Sequence, residues 1–218
     1  MKTHGIIFDC DGTLVDSLGQ ALNSFNYALK KIGEAPRSIE EIKKFFGAAA
    51  DRIFFGLLGD QEKALAAFEH YVDHQSELAK TMRLHPGIRE LLDTLKRNHV
   101  PLAVVTGRHA RDLDVVLKPH NLKDGFLTLI ADSHLPKSKP APDGILLAAK
   151  NMGLNPSHTM YVGDSIIDIQ AARNAGAVSV AALWDQLVKP EEMQRENPDC
   201  MAKTPADVWT FFKSRFGI

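Results

Sequence analysis

Five short, nearly unbroken apolar runs set what this chain can fold into: "GIIF" (5–8), "PLAVVT" (101–106), "FLTLIA" (126–131), "TMYVG" (159–163) and "VSVAAL" (178–183). Each is rich in β-branched residues and apolar at successive positions, so each reads as a strand buried on both faces. Between the later runs lie helical patterns, "GIRELLDTLKRN", "ARDLDVVLKPH", "DGILLAAKNMG" and "DIQAARNAGA". Strands alternating with helices of this length form βαβ units, which predicts an α/β protein with a doubly wound, mostly parallel sheet. One interval breaks the rhythm. Residues 16–85 hold no strand run but several helical stretches, including a capping-box spacing at Ser38 and Glu41. The expected organisation is a core from 1–15 and 86–218, with an inserted helical domain at 16–85 entered and left through short hinge strands near 15–17 and 84–87.

The 218 residues suffice for such a core plus a smaller insert. A formal net charge of −1 gives no global field that would draw the chain to nucleic acid or to an anionic membrane. Cys10 and Cys200 have no zinc-ligand spacing and read as free thiols. No segment approaches the roughly 20 apolar residues that span a bilayer, and the first apolar run meets Asp9 too early for a leader. The expectation is a cytoplasmic protein with no nucleic-acid or membrane partner.

The first run ends in "DCDGTLVDS". Residues two apart on a strand face the same way, so Asp9 and Asp11 can point into one volume with Cys10 opposite. Two carboxylates that close repel unless a cation lies between them, and ligands of α/β sheets bind beyond the carboxyl ends of strands. A structural turn competes with this, and Asp16 can cap the helix that follows. A calcium EF-hand loop does not fit, because Leu14 and Gln20 fall where Gly and Glu are required.

Three further strand ends carry chemistry. "VVTGR" offers the Thr106 hydroxyl and the Gly107 amide before a helix, whose N-terminus favours anions. "PKSKPAPDG" holds Lys139 in a proline-stiffened loop as a point charge for phosphate or carboxylate, with Lys137 a competitor that spacing does not eliminate. "YVGDSIID" delivers Asp164 at a strand tip and Asp168 four residues on. Asp164 suits a metal; Asp168 suits either the same face or the helix dipole.

Taken in order, "DCDGTLVD", Thr106, Lys139 within "KPAPD" and "GDSIID" resemble the four motifs of the haloacid dehalogenase (HAD) superfamily, along the whole chain. The resemblance implies that Asp9 is the nucleophile, and that Asp11 protonates the leaving oxygen and then activates water. It implies Mg²⁺ held by Asp9, the Asp11 backbone carbonyl and Asp164. Thr106, Gly107 and Lys139 would bind the phosphate, and Asp168 would orient Lys139 or a metal-bound water. An acid at position 11 favours phosphoryl over halide chemistry.

The helical insert looks like a cap of that superfamily's first class, closing over a small phosphorylated metabolite. Within it, "FFGAAADRIFFGLLG" resembles the glycine-containing substrate loop of phosphoglycolate phosphatase-like members, which makes Gly47, Ala48 and Arg52 specificity candidates. Phe45, Phe46, Phe54 and Phe55 read as core of the insert. Arg108, where such members often carry Lys, is a substrate or salt-bridge residue. His70 and His74, with Asp73, have the spacing of a helical metal pair but lack a third ligand, and read as a polar helix face. The expected activity is a Mg²⁺-dependent phosphatase acting on a phosphoglycolate-like monoester through an aspartyl-phosphate. Pyrophosphate, a sugar phosphate (hydrolysed or isomerised) and non-catalytic phosphometabolite binding stand as alternatives.

Overall fold

The computed structural model describes residues 4–217. Six strands form one parallel sheet: β1 (Gly5–Phe8), β4 (Leu102–Thr106), β5 (Thr128–Ala131), β6 (Thr159–Gly163), β7 (Val178–Ala182) and β8 (Cys200–Ala202). Their order is β5-β4-β1-β6-β7-β8, with Phe8 level with both Val104 and Val162. The chain leaves β1 on one side through β4 and β5, then crosses back to build β6, β7 and β8 on the other. The order therefore reverses beside β1, which is where open α/β sheets bind ligands.

Every residue of β1, β4, β6 and β7 is buried, because helices cover both faces. Ile6, Phe8 and Val104 pack with Leu91 and Leu95 of α5 (Ile88–Arg97), Val116 of α6 (Ala110–Leu117) and Phe212 of α10 (Pro205–Phe216). On the opposite face Ile7, Ala103 and Tyr161 pack with Ile145 and Ala148 of α7 (Asp143–Asn151) and with Ala171 and Ala172 of α8 (Ile166–Ala175). A short α9 (Pro190–Arg195) seats Met193 against Ala181.

The interval after β1 is helical: α1 (Leu18–Lys31), α2 (Ile39–Lys43), α3 (Ala50–Leu58) and α4 (Gln61–Leu78). The apolar spacing Ala64, Ala67, Phe68, Tyr71, Val72 on α4 faces Leu22, Phe25 and Leu29 of α1 and Phe54 of α3, giving this block a core of its own. It is joined to the sheet by a two-stranded antiparallel ribbon, β2 (Val15–Asp16) with β3 (Arg83–Leu84). Ser38 and Glu41 make the expected capping box.

Three local readings change. Asp16 lies exposed on β2, and Ser17, not Asp16, precedes α1. The stretch read as a glycine loop at 45–59 contains α3. The sheet has a sixth strand, β8, too short to leave a run in the sequence. Among the described residues no helix is long and apolar enough to cross a membrane.

Candidate active site

Asp9 follows β1 directly, Thr106 ends β4 and Asp164 follows β6, so three adjacent strands deliver the motif residues to one edge of the sheet. Asp9 is buried, its amide bonded to the Val162 carbonyl at 2.9 Å. One carboxylate oxygen lies 3.2 Å from Lys139 Nζ. The other, Oδ1, is buried without a hydrogen-bond partner. Asp164 is steadied by the Thr13 hydroxyl, which donates to Oδ1 at 2.9 Å. Its second oxygen lies against Gly12, at φ +70, where a Cβ would stand 2.4 Å from it. Only glycine lets the loop turn there and leaves room for that carboxylate.

Lys139 is the buried lysine of its loop, with 8% of its surface exposed, while Lys137 faces solvent. Its ammonium donates to Asp168 Oδ1 at 2.6 Å and to the Tyr161 hydroxyl at 3.1 Å, and that hydroxyl donates to the Val105 carbonyl at 2.8 Å. The other oxygen of Asp168 accepts from the Ser165 amide and hydroxyl in a capping box that opens α8. Both Asp168 oxygens are thereby engaged by protein donors, one of them by the Lys139 ammonium.

Burial pushes the Asp9 carboxyl up to about 7, with Lys139 opposing and Asp168 and Asp11 adding to the rise. Burial, then Asp168 and Asp9, also raise Asp164. For Lys139 burial works against the charge, but Asp168 and Asp9 outweigh it and hold the ammonium well above its ordinary range. Oxygens of Asp9, Asp164 and Asp168 lie within 4.8 Å of one another. Two buried carboxylates, Asp9 and Asp168, and the half-buried Asp164 around one ammonium leave an excess of negative charge. With the partnerless oxygen of Asp9, this all-oxygen donor set fits a hard cation such as Mg²⁺.

Asp11 lines the same cavity, but its carboxylate is turned to Arg108. The guanidinium grips it with Nε at 2.8 Å and NH2 at 2.6 Å, and the Ser17 hydroxyl donates to it as well. The remaining arm of Arg108 reaches Asp112 at 3.0 Å, and both terminal nitrogens reach Gln75 Oε1 of α4 at 3.2 Å. Of the two roles open to Arg108, the structure shows the salt bridge.

A cavity of about 530 Å³ opens from these groups toward the helical block. Leu22, Phe25, Phe46, Ile53 and Tyr71 make its far wall apolar, and Gly47 and Ala48 also line it. Gly47, at φ +100, is wedged against the core: a Cβ would stand 2.8 Å from the Lys139 carbonyl. Arg52 does not join them. It turns to the sheet domain and donates to Asp132 at 3.3 Å, Ser138 at 3.1 Å and the Leu135 carbonyl at 3.1 Å. Phe54 is core as expected and Phe45 and Phe46 pack against it, Phe46 also lining the cavity, whereas Phe55 is exposed. His74 bonds Ser24 at 2.8 Å and stacks on Tyr27, and neither it nor His70 belongs to a metal-ligand cluster among the described residues.

The sequence reading missed Tyr161, Thr13, Gln75 and Asp112. Ser165 with Asp168 has a capping-box spacing and Arg108 with Asp112 an i,i+4 spacing, both legible; Thr13, Gln75 and Tyr161 meet partners from distant segments.

Residues 6–182 match the haloacid dehalogenase-like hydrolase family. The chain belongs to that family. Phosphoglycolate phosphatase 1 of Pseudomonas aeruginosa is 34% identical over 190 residues, covering 82% of this chain and 68% of the relative. N-acetylmuramic acid 6-phosphate phosphatase of the same organism is 26% identical over 95% and 94% of the two chains. A solved hydrolase from Pseudomonas syringae superposes with a TM-score of 0.85 at 25% identity, covering 97% and 98%. This HAD chain is thus an enzyme of the phosphatase type.

Proposed function

We propose that the chain is a Mg²⁺-dependent phosphatase that hydrolyses a small, phosphoglycolate-like phosphate monoester through an aspartyl-phosphate on Asp9. The observation that carries this reading is the pairing at Asp9: one oxygen lies beside Lys139 and the other is buried and free. Asp9 and Asp164, with the Asp11 carbonyl, would hold the metal, which when bound offsets the repulsion between an anionic nucleophile and an anionic phosphate.

Asp9 attacks phosphorus, and Thr106, the Gly107 amide and Lys139 hold the other phosphate oxygens. Asp168 and Tyr161 fix the Lys139 ammonium, so its charge is positioned before the substrate arrives. Asp11 donates a proton to the leaving oxygen and later takes one from the hydrolytic water. To do so it must leave the Arg108 fork, which engages both of its oxygens. Residues 16–85 act as a cap over the core of 1–15 and 86–218, and Gly47 closes on the phosphate side of the cavity.

The test is phosphate release with Mg²⁺ over phosphoglycolate, sugar phosphates, pyrophosphate and simple monoesters, with Asp9→Asn as the control. Activity on monoesters that vanishes in the variant and in a chelator supports the reading. Turnover surviving Asp9→Asn removes the covalent step. Folded, Mg²⁺-loaded protein without turnover but with phosphate-ester binding identifies a binding module.

A further inference from the structure

A second group of metal-ligating side chains lies at the ribbon that joins the helical block to the sheet. Asp16 sits on β2, His85 follows β3 and Asp185 follows β7, and one donor atom from each lies within 4.8 Å of the others. None of the three belongs to the catalytic set. His85 is 5% exposed, and its Nε2 is buried without a hydrogen-bond partner. It faces Asp185 Oδ2 at 3.4 Å, well beyond the roughly 2.7–2.9 Å of a charge-assisted hydrogen bond. The same distance is the spacing of two ligands about 2.1 Å from a shared tetrahedral ion, roughly 3.4 Å.

The local backbone fixes this arrangement. The His85 amide is held by the Leu14 carbonyl at 3.1 Å, across the ribbon. Asp185 Oδ1 accepts from the Leu187 amide at 2.7 Å, which leaves Oδ2 turned to His85. Arg83, the cross-strand neighbour of Asp16, sends its guanidinium to the carbonyls of Lys80 and Met82.

We propose that Asp16, His85 and Asp185 bind a divalent transition ion, with Zn²⁺ the best fit. One imidazole with two carboxylates suits a borderline metal, whereas Mg²⁺ prefers oxygen and keeps its waters. The catalytic cluster is all oxygen, so the two sites differ in the metal they select. The ion ties together the strand leaving the core, the segment returning to it and a loop of the sheet domain, and so stiffens the hinge of the helical block.

The test is calorimetric titration of the chelator-stripped full chain with Zn²⁺ in excess Mg²⁺, repeated with Co²⁺ to read its visible ligand-field bands. The expected result is one Zn²⁺ per chain, retained in Asp9→Asn and weakened about tenfold or more in both His85→Gln and Asp16→Asn. Asp16 is exposed, so its variant keeps the test open if the buried His85→Gln fails to fold. No stoichiometric Zn²⁺ uptake, or uptake unchanged by Asp16→Asn, overturns the proposal. Because Asp9→Asn silences the proposed phosphatase while leaving this site intact, failure of one reading is separable from failure of the other.

Discussion

The proposed reaction needs Asp9 as an anion, yet burial drives its carboxyl from 3.8 to about 7. Between those values the folded chain holds a proton that the unfolded chain has released. The contribution to stability is therefore full below 3.8 and lost as pH rises through about 7, worth up to about 4 kcal/mol. Asp112, raised to about 6 chiefly by burial, acts in the same direction. Metal-free protein should melt at a higher temperature near about pH 5 than near about pH 8, and excess Mg²⁺ should shrink the difference. A gap indifferent to Mg²⁺ would separate Asp9 from the metal. A second residue-scale outcome concerns Arg108, which neutralises two carboxylates inside the protein. Arg108→Met strands both and should cost about 3–5 kcal/mol in chemical denaturation, part of it recovered when Asp112→Asn is added. Asp9 and Asp164 were legible in the sequence because apolar strands present them at their tips, whereas Lys139 lies in the loop beyond β5 and spacing did not separate it from Lys137. Arg108 left its role open, since its partners Asp11 and Gln75 lie 97 and 33 residues away.

At the scale of elements, legibility followed length and burial. β1, β4, β6 and β7 announce themselves because both faces are covered, which forces continuous apolar runs. β8 has three residues and the ribbon strands two, too few for a period to appear. α3 was hidden because Gly56 breaks the helical pattern. That glycine is used for packing: a Cβ there would stand 2.4 Å from the Phe45 ring. The loop before α3 and the first turn of the helix latch the block to the core, through the Ala49 amide and Arg52 on Asp132 and through Gly47 beside Lys139. Adding a methyl at Gly47 strains a backbone at φ +100 and pushes into the Lys139 carbonyl. Gly47→Ala should lower kcat/KM by about tenfold or more with little change in melting, because each packed unit keeps its own core. Arg52→Ala, on a side chain 40% exposed, should produce a milder loss of the same kind. If Gly47→Ala instead lowers the melting midpoint well below that of the wild type, the block and the sheet domain are one cooperative unit.

For the whole molecule, the question is what the cavity between block and sheet accepts beyond the phosphate. Its buried cations are spoken for: Lys139 faces Asp9 and Asp168, and Arg108 faces Asp11 and Asp112. The far wall is apolar, so among the described residues a second anionic group on the substrate finds no unpaired positive charge in the interior. The cationic side chains at the rim that line the cavity include Lys43 and Lys44, both exposed, at the end of α2. A carboxylate such as that of phosphoglycolate would have to be met there, by screened charges worth about 1 kcal/mol or less each. An uncharged leaving group would instead rest on the apolar wall. The double substitution Lys43→Met and Lys44→Met should therefore raise KM for phosphoglycolate several-fold, more at low salt than at high, while leaving KM for phenyl phosphate nearly unchanged. An equal rise for both esters would mean that the lysines steer any phosphate toward the mouth of the cavity. No change for either would place the carboxylate elsewhere, against Lys189 of the same cavity or against an Arg108 that has released one of its own carboxylates.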